Sequence, residues 1–246
     1  MSENIYPVQP QDQSPYGITR QETLGQYTAK TFGIMFLGLL VTFGIAAFLG
    51  WTEAGFKLMV NVLVAVPSVS VILLVAQLVV VIAMSAMIRK LSPAAATACF
   101  FVYSVLTGLT FGLIFWAYEV SSLVLVFAFT ALYFGGMAVF GYVTKIDLTR
   151  LRPILIGGAI VLLVGNLLML FIPGLQAMDR ALCTVGVVIF LAFTAYDTQK
   201  IRRYYYGFQG DDAMLKKASV ISALELYLDF INLFLYLLRL FGKSKN

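Results

Sequence analysis

The stretch SVISALELYLDFINLFLYLLRL, residues 219–240, decides the fold. It has the length and apolar character needed to cross about 30 Å of hydrocarbon as one helix, which takes about 20 residues. Within it, Glu225, Asp229, Asn232 and Tyr236 recur at intervals of four, three and four. On a helix those intervals place all four side chains on one stripe. The rest of the segment is mostly leucine, isoleucine and phenylalanine, so the stripe must face a bundle interior or water, because lipid would leave each polar group unpaired. This last helix is therefore expected at the centre of an all-α membrane protein.

Working outward, apolar windows of similar length recur with no soluble domain between them. Seven spans are expected, at about residues 30–50, 60–88, 93–118, 121–142, 153–172, 181–200 and 219–240. The second is longer than a crossing requires, and Pro67 marks a helix start or a kink within it. At this hydrophobicity only helices satisfy the backbone in lipid, and the alternation of barrel strands is missing. Gly108 and Gly112, Gly135 and Gly136, and Gly157, Gly158 and Gly165 are expected to be places where helices approach closely in a compact bundle.

Composition agrees. The chain is 61% hydrophobic and 12% charged, with a mean hydropathy of +0.91, whereas soluble domains carry about 25% charged residues. There is no histidine, so any pH sensing near neutrality must use carboxylates, and the commonest metal and haem ligand is missing. Cys99 and Cys183 lie apart in apolar segments and are expected to be reduced, buried thiols. Residues 1–28 are polar and proline-bearing and lack the pattern of a cleavable signal. They are expected to form a disordered cytoplasmic tail before a transmembrane domain over 29–242 and a short basic tail at 243–246.

Orientation follows from lysine and arginine. Twelve fall on the side of the amino terminus and five on the other, which predicts a cytoplasmic amino terminus. An odd span count then leaves the basic Lys243-Ser244-Lys245 tail outside. A six-span variant with a re-entrant last segment would bring the tail back, and seven is the favoured reading. The short loops and compact length suit a bacterial inner membrane.

A second acid, Asp197, sits in Phe193-Thr194-Ala195-Tyr196-Asp197-Thr198-Gln199. A carboxylate in hydrocarbon costs about 2.5 to 3.5 kcal/mol on insertion scales, so its presence points to an ion path, a proton relay or a paired partner. Asp197 lies about one turn inside the interface marked by Lys200, Arg202 and Arg203, and could simply pair with Lys200 or Arg203 there. Asp229 enters from the same side, and the two depths match if the last helix begins near Ile221. Like charges a few ångströms apart cannot both ionise freely, so the pair is expected to share a proton and titrate between about pH 6 and 8. Arg89, in Met87-Ile88-Arg89-Lys90, is an interfacial anchor whose guanidinium can also reach Asp197 as a latch.

Ala223 through Leu235, followed by Leu237-Leu238-Arg239, resembles the last-helix signature of the Bax inhibitor-1 family. Ala195-Tyr196-Asp197-Thr198-Gln199 is similar to its penultimate-helix motif, and Ser104 through Gly112 to its third-helix glycine pattern. The resemblance covers the chain after Thr28. It implies a seven-helix bundle around a central last helix, acting as a pH-sensitive calcium leak, in a family linked to cell-death suppression in eukaryotes and present in bacterial inner membranes. It also implies that Asp197 and Asp229 form a paired sensor and ion pathway and that Arg89 latches the closed state to Asp197. Glu225 departs from the motif as known and adds a third carboxylate.

No cofactor is expected, and calcium is the expected permeant ion. Asp197 and Asp229 would meet it transiently, with Glu225 and Asn232 as auxiliary oxygens, although oxygen ligands alone also admit sodium, protons or manganese. The expected partners are membrane lipid, calcium and protons, with other membrane proteins a further option and no nucleic acid. No enzymatic activity is expected. An intramembrane aspartyl protease also pairs two acids, but its second one resembles Gly-x-Gly-Asp, whereas Leu226-Tyr227-Leu228-Asp229 is too bulky for a substrate backbone to approach. A retinal protein would need a lysine in the final span, which has none. The remaining alternative is a non-conducting regulator that binds other membrane proteins, for example a quality-control protease.

Overall fold

The computed structural model describes residues 22–87, 90–172 and 174–245. Its helices are α1 (Leu24–Trp51), α2 (Glu53–Ala65), α3 (Val69–Met87), α4 (Pro93–Ala117), α5 (Val120–Val143), α6 (Arg152–Phe171), α7 (Asp179–Gly207) and α8 (Asp212–Phe241). Short 3-10 turns at Leu148–Leu151 and Leu175–Met178 precede α6 and α7. All except α2 are long and apolar enough to cross a membrane, so the seven-span, all-α expectation holds.

Helix boundaries follow local chemistry. Thr23 and Gln26 form a reciprocal capping box that starts α1 at Leu24, which satisfies amides that would otherwise be orphaned. Residues 24–28 are thus helical rather than part of the expected tail, and residues 1–21 of that tail lie outside the described residues. Ser92 caps α4 with Pro93 in its first turn, and α6, which has no side-chain cap, also carries a proline, Pro153, in its first turn. The window at 60–88 is divided, because Pro67 cannot donate to a helical ladder and disfavours helix at Val66. Residues 60–65 instead end the short α2, and α3 makes the crossing.

The turn from α1 into α2 depends on Thr52 and Gly55. The Thr52 hydroxyl accepts the Gly55 N–H at 3.0 Å, and a Cβ on Gly55 would stand 2.2 Å from the Phe48 carbonyl oxygen. Gly108 and Gly112 seat α4 on α1 within one chain, where added Cβ atoms would meet Thr42, Ile45, Leu49 and Met59. Gly158 and Gly165 take Ile189 and Leu182 of α7, while Gly135, Gly136 and Gly157 have nothing within 4 Å. These last three are not sites of close approach: Gly136 and Gly157 are exposed, and Gly135 faces a groove between α5 and α1.

An equally close seat is Gly141, where a Cβ would fall 2.2 Å from the carbonyl oxygen of Ala195, two residues before Asp197. Gly141→Ala is expected to push α5 off α7 and lower stability by about 1–3 kcal/mol. Gly136→Ala has room for its methyl and is expected to raise stability by about 0.5–1 kcal/mol through helix propensity. Thermal unfolding of the two detergent-solubilised variants checks both signs.

α8 is the central helix. Of its most apolar window, 72% is buried, against 6% for α3. Phe230 and Phe234 of α8 pack on Phe43, Phe111, Phe127 and Phe134 from three surrounding helices. Hydroxyl pairs fix its register: Tyr227 to Thr42 at 2.6 Å, with Thr42 positioned close to the Ser104 carbonyl, and Ser219 to Thr31 at 2.8 Å. Each hydroxyl finds its partner inside the bundle, as a low-dielectric interior requires.

The termini settle the number of crossings. Tyr27 donates to the Leu215 carbonyl and Tyr205 to that of Glu22, so the start of α1 lies beside the α7–α8 turn. The carboxy-terminal tail lies on the α4–α5 turn at the opposite face, through Glu119 N–H to Lys243 O at 2.9 Å and Lys245 N–H to Ala117 O at 2.9 Å. At 30 residues, α8 is about 45 Å long and joins the two faces. The re-entrant six-span variant is thereby excluded.

Candidate functional site: a buried acid pair beside a lysine bridge

α8 begins at Asp212 rather than near Ile221, because Asp211 caps it by accepting the Met214 N–H at 2.9 Å. α7 also runs past Lys200 to Gly207. With both helices lengthened, the two acids still come to one place. Asp197 and Asp229 are 6% and 4% exposed, and they line the same groove. Asp229 Oδ2 has no hydrogen-bond partner among the described residues.

Lys200 organises the mouth of the site. Its Nζ stands 2.6 Å from Glu225 Oε1 and 3.8 Å from Asp197 Oδ1, bridging α7 to α8. It also lies over the Tyr204 ring, and Arg203 lies over that of Tyr196. Among the described residues Lys200 is the ion-pair partner of Asp197. Arg89, assigned that latching role from sequence, lies outside the described residues.

These groups line a groove of about 340 Å³ between α6, α7 and α8, with Arg152 at its rim and Asp197, Asp229 and Asn232 inside. A liquid water occupies about 30 Å³, so the groove has room for several. Asn232 spends its amide N–H on the Leu228 carbonyl at 2.8 Å, leaving the amide oxygen as its available acceptor. No group of three or more His, Cys, Asp or Glu arranged to hold a metal ion occurs among the described residues. Glu225 gives one oxygen to Lys200, so the acid pair stands as two carboxyls and not as a cation cage.

The motif around Asp197 has a second use that sequence reasoning missed. Gln199 accepts the Leu148 N–H at 2.9 Å and donates to the Ile146 carbonyl at 2.7 Å, pinning the α5–α6 connection against α7. Arg202 adds a bond to the Tyr142 carbonyl. In that connection the Asp147 carboxylate accepts both the hydroxyl and the N–H of Thr149. The hydroxyl bond first, then the amide bond, holds its carboxyl below the ordinary carboxylate range. A glutamine two residues after a buried acid was the available signal. Cys99 and Cys183 are free thiols, the first partly exposed and the second buried.

Seven apolar crossings, six of them around the central α8, with a buried acid on α7 and another on α8, define a multi-pass α-helical membrane protein. The profile of the family described as "Inhibitor of apoptosis-promoting Bax1" matches residues 24–246, and the chain belongs to this Bax inhibitor-1 family. It is 40% identical over 223 residues to the inner membrane protein YbhL of Escherichia coli K12, covering 90% of this chain and 93% of that one. It is also 38% identical to an uncharacterised protein of Borreliella burgdorferi, over 92% of this chain and 97% of that one. A Deinococcus radiodurans protein is 37% identical over 93% and 96%.

Proposed function

We propose that the protein is a pH-sensitive cation leak, with calcium as the permeant ion, oriented with its amino-terminal face toward the cytoplasm of a bacterial inner membrane. The observation that carries this reading is the acid pair itself: two buried carboxyls, one with an unpartnered oxygen, lining one groove with room for water. Two acids in that position hold one proton between them. Asp197, beside Lys200, carries the charge, and Asp229, with no cation at contact distance among the described residues, carries the proton.

Lys200 closes the groove by bridging Asp197 and Glu225 as a tethered cation standing where a free one would pass. A second proton discharges Asp197 and leaves Lys200 held by Glu225 alone, which loosens the bridge, so flux rises as pH falls. Calcium is met by a few oxygens and released, as conduction requires, and no step is enzymatic. Arg89 is assigned a second latch on the same acid.

Purified protein in calcium-free liposomes tests the reading. Calcium entry is expected to be low at pH 8 and on the order of tenfold higher at pH 6, the scale that a one-proton linkage sets. Equal flux at the two values overturns the sensor. No flux at either overturns the leak and leaves the non-conducting regulator.

A further inference from the structure

Among the described residues the groove is lined no further along α8 than Asn232. Four residues further along α8, the Tyr236 ring stacks on Phe190 of α7 at 5.8 Å and 27°. Leu162 of α6, at 2% exposure, and Cys183 of α7, at 0%, pack around it. The ring sits on Gly186, where a Cβ would approach it to 2.7 Å, so this glycine is the socket that lets the ring fill the gap between α7 and α6. On the far side of the ring a polar chain crosses all three helices. Asn166 of α6 donates to the Tyr236 hydroxyl at 3.1 Å and to the Leu162 carbonyl at 2.7 Å, and accepts Arg239 Nη1 at 2.6 Å. Arg239 also pairs with Asp179 at the start of α7.

We infer that Tyr236, seated on Gly186 and held by Asn166, is the constriction that closes the route beyond the acid pair, in series with the Lys200 bridge. This rests on the reading of the groove as a cation path. Tyr236 and the side chains packed around it separate the space around Asp229 from the polar chain at the opposite face. Asp229 and Tyr236 are seven residues apart, about 10 Å along the helix, and past Asn232 the packing around the ring is aromatic and aliphatic. Asn166 and Arg239 are positioning residues here: they hold the phenol upright and tie α6, the wall of the groove, to α8.

The test uses the full chain with Cys99→Ser, leaving Cys183 within the plug as reporter. In liposomes at pH 6, where the Lys200 bridge is released, Tyr236→Ala is expected to raise calcium flux on the order of tenfold, and Tyr236→Phe, which keeps the ring and loses the Asn166 bond, by less. Independently of flux, Cys183 is expected to be inert to a membrane-impermeant maleimide in the native chain and to label in Tyr236→Ala, as water enters. Phe190→Ala is expected to behave in the same way and serves if Tyr236→Ala does not fold. Labelling that rises while no chain conducts would sink the leak and keep the plug as a water barrier. Labelling and flux both at native levels in the folded variants overturn the constriction.

Discussion

Asp229→Asn is expected to abolish the pH dependence of calcium flux and to leave the protein closed, with the same low flux at pH 6 and pH 8. The sign follows from the division of labour within the pair. Asp197 is the member that touches Lys200, at 3.8 Å, while Asp229 lies deeper and offers an oxygen with no partner among the described residues. In the proposed pair the proton taken up near neutrality belongs to both carboxyls together. With asparagine at 229 there is no second carboxyl to share it, Asp197 stays ionised beside Lys200 through the whole window, and the bridge never releases. Because asparagine keeps the volume and a hydrogen-bonding oxygen, the fold survives the exchange. Retained pH dependence in a folded Asp229→Asn protein would remove the acid pair from the mechanism.

Lys200→Met is expected to do the opposite, giving high flux at both pH values. The bridge is a short bond between side chains 19% and 27% exposed. Hydrogen bonds to charged groups contribute about 1.5–3 kcal/mol net, and each 1.4 kcal/mol is tenfold in an equilibrium. Losing the bridge therefore shifts the closed-to-open balance on the order of tenfold or more. Methionine keeps most of the stem and removes the ammonium together with its contact over the Tyr204 ring. Liposome flux at pH 8 reads the effect directly, and a Lys200→Met protein as tightly closed as the native one there would show that the bridge is a surface ion pair with no part in closure.

Much of this architecture was legible in residues 219–240. The i, i+4, i+7 stripe of Glu225, Asp229 and Asn232 could face only protein or water, which placed α8 at the centre before any coordinates did. That Asp197 and Asp229 come to one groove was legible as well, although for the wrong helix start, because the cap at Asp211 was not recognised. Lys200 was read as an interfacial partner of Asp197, and its stronger bond to Glu225, on another helix, has no signature in local spacing. Tyr236 was placed on the polar stripe, but its seat on Gly186 and its bond to Asn166 depend on how α6 and α7 pack, which periodicity does not encode. The glycines show the same limit. Gly108 and Gly112 are true seats, while Gly135, Gly136 and Gly157 face open space, and nothing in their spacing distinguishes the two sets.

The central claim is that two acids on neighbouring helices hold one proton in common and that its partner lysine reads the pair's charge. Infrared difference spectroscopy of carboxyl protonation, on protein in bilayers titrated from pH 8 to pH 6, tests it most directly. The native chain is expected to take up one proton per chain on buried carboxyl with a midpoint between about pH 6 and 8. Asp229→Asn leaves a lone Asp197 ionised beside Lys200, and Asp197→Asn leaves a lone, buried Asp229 protonated throughout, so neither single variant should show uptake in that window. Uptake of the same amplitude and midpoint in either variant would mean that the acids titrate separately, and the account would fail.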